Sequence, residues 1–301
     1  MKLFGPVTVP FNIKAVLEQF LAQKLPAAYS AGCLLSPVAG LTGESWKIET
    51  PTQSWLARIQ SAEKARLGVQ RRREKAVLQH LAGLGIAPEI TLFSPQWLVV
   101  EWLEGNTCDA TSATDMVFQL RLSQLLARLH RLAPCGHRLL LRQQLARYWQ
   151  QIDRRRLTPK WLRLQQHMMR AQMPTPLKLA VLHMDVHPGN LVCDGQTLRL
   201  IDWEYAADGD IALELAALFR SNDWTAEQQR SFLSTYAVAG GYRDTARLVR
   251  QIRRWTMWVD YLMLMWYEVR WHQTGDNAYS DGAQPLRERL FASGRTGDKT
   301  K

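Results

Sequence analysis

The spacing of apolar residues changes character twice along this chain, and each change predicts a different kind of element. Phe11, Ala15, Val16, Phe20 and Leu21 recur at helical intervals and predict an amphipathic helix over residues 11–25. Short apolar runs follow: Leu34-Leu35 ahead of Ser36-Pro37, then Ser45-Trp46-Lys47-Ile48, then Ser54–Ile59. The Gly-containing turn Ala39–Gly43 separates the first two, so they read as paired strands. A long charged helix carrying Glu74 comes next and ends at the breaker cluster Gly83-Leu84-Gly85-Ile86-Ala87-Pro88. Strands resume up to Gln96–Leu103. Beyond Gly105 the pattern turns largely helical, over 115–132, 141–156 and 158–171, before a strand at Leu177–Leu182. Asp210 reads as the N-cap of a helix from Ile211 to Phe219.

At 301 residues, 47% of them hydrophobic and 22% charged, the chain suits one large domain or two lobes around a cleft. No apolar run approaches the length that spans a bilayer. The start, Met1–Pro6, lacks the basic-then-apolar plan of a secretory signal. Cys33, Cys108, Cys135 and Cys193 contain no CxxC pair and read as reduced thiols, which fits a cytoplasmic protein. A membrane-spanning or disulfide-stapled class is excluded. The formal net charge of +11 raises the question of nucleic acid. Its arginine runs, Arg71-Arg72-Arg73, Arg154-Arg155-Arg156 and Arg253-Arg254, sit among acidic and apolar residues, where solvated helix faces account for them. No nucleic-acid partner is expected, and the positive field also draws in ATP.

The chemistry concentrates in His183-Met184-Asp185-Val186-His187-Pro188-Gly189-Asn190 and, after a Gly turn and a short strand, Ile201-Asp202-Trp203-Glu204. Phosphoryl transfer needs a carboxylate to orient the attacking hydroxyl and oxygen ligands to hold Mg²⁺ against the phosphates. The spacing H-x-D-x-x-x-x-N plus a later Asp supplies both. Asp185 takes the base position, His183 of the same loop is the second catalytic candidate, and Asn190 and Asp202 are the candidate Mg²⁺ ligands. A metallohydrolase built on His183, Asp185 and His187 is the rival, but it leaves Asn190 and Asp202 without a role. Upstream, Arg58 offers a cation where a kinase places its phosphate-binding lysine, with Glu74 as partner and Glu63 as the competing acid. Gly40 and Gly43 lie in a turn whose backbone N–H groups can approach phosphate. Glu101, Trp102 and Leu103 end an apolar strand like the hinge that holds adenine through backbone groups.

The acceptor is sought in the segment Arg253–Trp271, which is rich in indoles. Trp255, Trp258 and Trp266 recur at helical steps with Asp260 and Glu268 as acids. An aromatic wall with carboxylates holds organic cations, although core packing of a long helix explains the same spacing. Glu204, beside the metal Asp, is a further candidate for the acceptor pocket.

The motifs L-H-M-D-V-H-P-G-N-L-V and L-I-D-W-E-Y-A-A-D-G-D-I-A-L-E-L-A resemble those of the aminoglycoside phosphotransferase and choline kinase superfamily, and within it the bacterial thiamine kinases. The resemblance runs from about residue 30 to 280. It implies an α+β, protein-kinase-like two-lobed fold. A small N-terminal nucleotide-binding lobe with an antiparallel sheet would take residues 1–104. A larger, mainly helical catalytic and substrate-binding lobe would take 105–301, with a disordered tail from about 293. It also implies a monomeric enzyme that moves the γ-phosphoryl of ATP onto the primary alcohol of thiamine. Choline or an aminoglycoside is the alternative acceptor, and a non-catalytic nucleotide-binding protein is the alternative class. Two departures stand out: Arg58 replaces the lysine of the protein-kinase pattern, and Gly40-x-x-Gly43 is short of a full G-x-G-x-x-G. Met184 stands where kinases carry the arginine that reads a phosphorylated activation loop, so no such switch is expected.

Overall fold

The computed structural model describes residues 11–38, 45–109, 115–195 and 197–293. Helix α1 (Phe11–Lys24) and a short α2 (Pro26–Ser30) lead into β1 (Leu34–Pro37), β2 (Ser45–Glu49) and β3 (Ser54–Ile59). Next come α3 (Ala62–Arg66), α4 (Arg71–Leu81), β4 (Ile90–Phe93) and β5 (Trp97–Glu101). The strands form an antiparallel sheet in the order β1-β2-β3-β5-β4. Period-two alternation gives the sheet two faces. Trp55, Ala57, Ile59, Trp97 and Val99 pack with Leu17 and Leu21 of α1. Leu56 and Arg58 of β3, with Leu98 and Val100 of β5, point the other way, toward α4 and the rest of the molecule.

The remainder is mainly helical, as expected for the α+β class. It begins with β6 (Asn106–Thr107), α5 (Met116–Leu129), α6 (Leu141–Gln151) and α7 (Pro159–Arg170). Four short strands follow: β7 (Leu179–Leu182), β8 (Leu191–Cys193), β9 (Leu198–Leu200) and β10 (Ala207–Asp210). Helices α8 (Ile211–Ser221), α9 (Ala226–Val238), α10 (Thr245–Thr274) and α11 (Asn277–Ser293) complete the chain. β6, β8 and β9 form one small antiparallel sheet, and β7 pairs with β10 in another. At the crossing between the two parts, a side chain on Gly105 would meet the Cys193 carbonyl at 2.6 Å. Glycine lets the connection run against β8. No helix among the described residues is long and apolar enough to cross a membrane.

The structure corrects several boundaries. The buried positions of α1 are Leu17 and Leu21, whereas Ala15 is exposed. The long charged helix is two helices, α3 and α4, because Gly68 at φ 90° breaks the run. The helix expected over 141–156 stops at Gln151, and a 3-10 turn capped by Asp153 takes up Arg154–Arg156. The 294–301 tail expected to be disordered lies outside the described residues. Helix α11 was not foreseen.

Asp210 does cap α8, accepting from Ala212 N at 3.3 Å. Its second oxygen accepts from Trp255 Nε1 and Gln251 Nε2, both at 2.8 Å. One carboxylate thus fastens α10 to the start of α8. Asp210→Ala strips the cap, leaves the buried Trp255 indole N–H without an acceptor and leaves Gln251 Nε2 with Thr175 O alone. We expect it to lower unfolding free energy by at least about 2 kcal/mol, measured as a shift of the urea midpoint at unchanged m.

Candidate active site

The segment that leaves β7 is held from beneath. Glu214 of α8 accepts the backbone N–H groups of His183 at 2.6 Å and Met184 at 2.7 Å, and its other oxygen pairs with His130 Nε2 at 2.7 Å. This anchorage supports Met184 at φ 68°, a left-handed conformation unusual for a side-chain-bearing residue. The turn so made brings up Asp185. His183 Nδ1 accepts from Asp185 N at 3.2 Å, so the ring proton sits on Nε2 and is donated to Ile201 O at 2.8 Å. Its ring also packs edge-on against Trp203. His183, expected as a catalytic residue, is fully buried, and its bond to Ile201 O ties the loop to the Asp202 turn. The Asp185 side chain is 38% exposed. Asn190 Nδ2 donates to Asp185 O at 2.9 Å and to Asp185 Oδ2 at 3.0 Å, which leaves Asn190 Oδ1 as the outward oxygen. Burial opposes protonation of His187, but the Asp185 carboxylate outweighs it and raises the pKa.

A buried ionic cluster lies on the other side of Asp202. Arg58 reaches Glu74 at 2.7 Å, Glu204 at 3.0 Å and Asp202. Lys64 meets Glu204 at 2.8 Å, and Arg71 bridges Glu74 and Glu204. The cations Arg58, Lys64 and Arg71 are therefore matched by the carboxylates Glu74, Asp202 and Glu204. Burial disfavours charge on Arg58, yet Asp202, Glu74 and Glu204 reverse this and raise its pKa. Burial likewise works against the Asp202 carboxylate, and Arg58 and Lys64 overcome it, so its pKa falls. For Lys64 desolvation wins and the pKa is lowered, with Glu204 offsetting part of it. Asp202 itself sits in the left-handed region, φ 64°, with 37% of its side chain exposed.

Two cavities flank the loop and the Asp202 turn. One, of about 100 Å³, lies between the inner sheet face and the Asp202 turn, lined by Arg58, Glu74, Glu101, Trp102, Leu103 and Asp202 among others. The second, of about 220 Å³, opens on Asp185, with Tyr148, Tyr205, Trp266 and Tyr267 as aromatic walls. Trp266 Nε1 donates to Tyr205 OH at 3.0 Å, and Trp266 packs edge-on to Tyr267. Burial raises the Tyr205 pKa, with the Glu204 charge adding to it, so the phenol stays protonated.

The expected ATP-side residues Arg58, Glu74, Glu101, Trp102 and Leu103 are thus brought together; Gly40 and Gly43 lie outside the described residues. Glu63 is not among the carboxylates that Arg58 meets. Of the residues expected at the acceptor, only Trp266 lines the second cavity. Trp255 is buried on Asp210, and Trp258 is buried in the core under Arg142. Asp260 pairs with Arg220 and Arg289, and Glu268 with Arg156 and Arg287. Glu204 belongs to the ionic cluster. The reason is helical phase. Val259, Leu262, Met263, Trp266 and Tyr267 form the i, i+3, i+4, i+7, i+8 face of α10 that lines the cavity, and the other indoles and acids project elsewhere.

Sequence reading missed Tyr148, Tyr205, Lys64, Arg71 and Glu214. Glu214 alone carried a signal, an acid inside the apolar run Ile211–Leu218. The metallohydrolase rival fails on geometry. His183 has both ring nitrogens engaged, and no group of three or more His, Cys, Asp or Glu that could hold a metal occurs among the described residues.

Comparison with known proteins follows the geometry. Residues 35–250 match the model of the phosphotransferase enzyme family. The thiamine kinases of Escherichia coli and Shigella flexneri are each 41% identical over 241 residues, covering 80% of this chain and 84% of theirs. Among solved structures, the choline kinase of Streptococcus pneumoniae superposes with a TM-score of 0.74 at 19% identity, over 94% of this chain and 99% of that one. The ethanolamine kinase of Plasmodium vivax gives 0.68 at 14% identity, over 97% and 98%. The two-lobed, protein-kinase-like fold is that of these neighbours.

Glu214 offers a test of loop anchorage. Burial alone would raise its pKa, but His130 and the Met184 N–H hold it below the usual 4.5. A depressed carboxylate contributes stability that is present above pH 4.5 and lost as pH falls through the folded value. Glu214→Gln should cost about 1–3 kcal/mol at neutral pH and flatten the acid limb of stability against pH. Urea unfolding across a pH series checks both.

Proposed function

The chain belongs to the phosphotransferase enzyme family, and from that premise we infer that it transfers the γ-phosphoryl of ATP to the primary alcohol of thiamine, giving thiamine monophosphate and ADP. One observation carries the reading: the Asp185 carboxylate opens on an aromatic cavity, while its neighbour across the loop, Asp202, lines the cavity beneath the sheet. A phosphoryl donor under the sheet and an acceptor in the aromatic cavity therefore meet between these two carboxylates. The 41% identity to thiamine kinases supports the acceptor.

The residues divide the work. Asp185 accepts a hydrogen bond from the acceptor hydroxyl and aims its oxygen in line at the γ-phosphorus; it receives the proton as the bond to phosphorus forms and the bond to ADP breaks. Asn190 fixes the Asp185 rotamer through its amide N–H. Arg58, held by Glu74 and Glu204, presents its guanidinium to the phosphates. The hinge residues 101–103 flank the adenine side. The donor set also fits Mg²⁺: hard oxygens from one carboxylate, Asp202, and one amide, Asn190, as suits an ion that completes its shell with phosphates and water. When bound, it supplies charge neutralisation on the phosphates. The thiazolium cation rests against Trp266, Tyr205 and Tyr267, with Asp185 as the only carboxylate lining that cavity.

ADP release with Mg-ATP and a panel of thiamine, choline, ethanolamine and kanamycin, with product masses, tests the acceptor. Thiamine monophosphate is expected, and turnover confined to another member would replace thiamine as the acceptor. Asp185→Asn should lower kcat by at least about 10²-fold with the KM for ATP nearly unchanged. Trp266→Leu should raise the KM for thiamine about tenfold and leave that for ATP in place. Equal effects on both substrates would remove Trp266 from the acceptor wall.

A further inference from the structure

The far wall of the aromatic cavity carries polar groups that the transfer chemistry does not use. Leu67 and Gly68 form the turn between α3 and α4, and both line the cavity with Arg73 and Gln144. Gln144 Nε2 donates to Leu67 O at 3.2 Å, so its amide orientation is set and Oε1 is the acceptor left over. A Cβ on Gly68 would lie 2.4 Å from that oxygen, so only glycine lets Gln144 fold over the turn. Arg73 Nη2 donates to the next carbonyl, Gly68 O, at 2.9 Å, and to Glu204 O at 3.3 Å. Arg73 Nε is buried and has no hydrogen-bond partner among the described residues. Two side chains anchored on consecutive carbonyls thus hold a spare acceptor and a spare but closed-off donor beside one cavity. A buried guanidinium N–H left unpaired is costly, so a small movement of the Arg73 side chain that opens Nε to an accepting ligand is favoured once that ligand is bound.

We propose that Gln144 and Arg73 read the aminopyrimidine of thiamine: Gln144 Oε1 accepts from the exocyclic amino group, and Arg73 Nε donates to the adjacent ring nitrogen. An aminopyrimidine edge presents a donor beside an acceptor, the complement of this pair. An anion is a poorer match, because Gln144 Oε1 would repel it and the phosphates lie with Arg58 in the other cavity. The proposal rests on thiamine as acceptor and adds what distinguishes thiamine from any smaller cationic alcohol. Asp185 and the aromatic walls take the hydroxyethylthiazolium half; Gln144 and Arg73 take the other.

The test compares kcat/KM for thiamine with that for the N-methylated hydroxyethylthiazolium fragment, which keeps the cation and the alcohol but has no pyrimidine. Wild type should prefer thiamine by about 10²-fold or more. Gln144→Met and Arg73→Met should each cut that preference about tenfold. The oxo analogue of thiamine, with a carbonyl in place of the amino group, should be a poor substrate for wild type and suffer less in Gln144→Met. A structural role only would lower both substrates together and keep their ratio, which overturns the proposal. Wild type that uses fragment and thiamine equally also overturns it, with thiamine kinase activity intact. Wild type that uses the fragment but not thiamine removes the acceptor assignment itself, and the pairing with it.

Discussion

Everything in the active site is arranged around one buried ionic cluster. Arg58 projects from the inner face of the N-terminal sheet, Glu74 from α4, and Asp202 and Glu204 from the turn after β9. Each charge is costly to bury alone, and the cost is offset only while its partners stay within reach. The sheet, the α3–α4 segment and the catalytic core are therefore constrained to a common geometry. Removing one member would strand the others, so the cluster is as much a requirement on the fold as a piece of catalytic equipment. Glu214 plays a corresponding part below the catalytic loop, where two backbone N–H groups and His130 converge on its carboxylate.

The portions of this arrangement that a sequence reading reaches are those in which spacing and chemistry coincide. Asp185, Asn190 and Asp202 sit on a strand–loop–strand unit whose length leaves little freedom, and Arg58 with Glu74 follow from a strand and the next helix. The short apolar runs Ser54–Ile59 and Gln96–Leu103 were enough to place two strands of the sheet. The break at Gly68 was not visible, because its φ of 90° serves a tertiary contact, the overlay of Gln144, that no local pattern announces.

The acceptor side was least legible, for a physical reason. A helix as rich in tryptophan as α10 buries indoles on several faces, and composition does not reveal which face meets the cavity. Trp255 and Trp258 answer to the core, and Asp260 and Glu268 to arginines from α7, α8 and α11 or their flanks. Tyr148 and Tyr205 come from remote segments, an α6 tyrosine and the residue after the ionic cluster, and only the folded chain brings them to Trp266.

The single helical face formed by Val259, Leu262, Met263, Trp266 and Tyr267 serves the cavity and the core at once. Substitutions along that stripe reshape the cavity beside Asp185 and, at Trp266 and Tyr267, also the contact with Tyr279 and Gly282 of α11, while other faces of α10 pack on α6 and α8. Cavity shape and helix packing are therefore coupled at two adjacent positions of the same thirty-residue element.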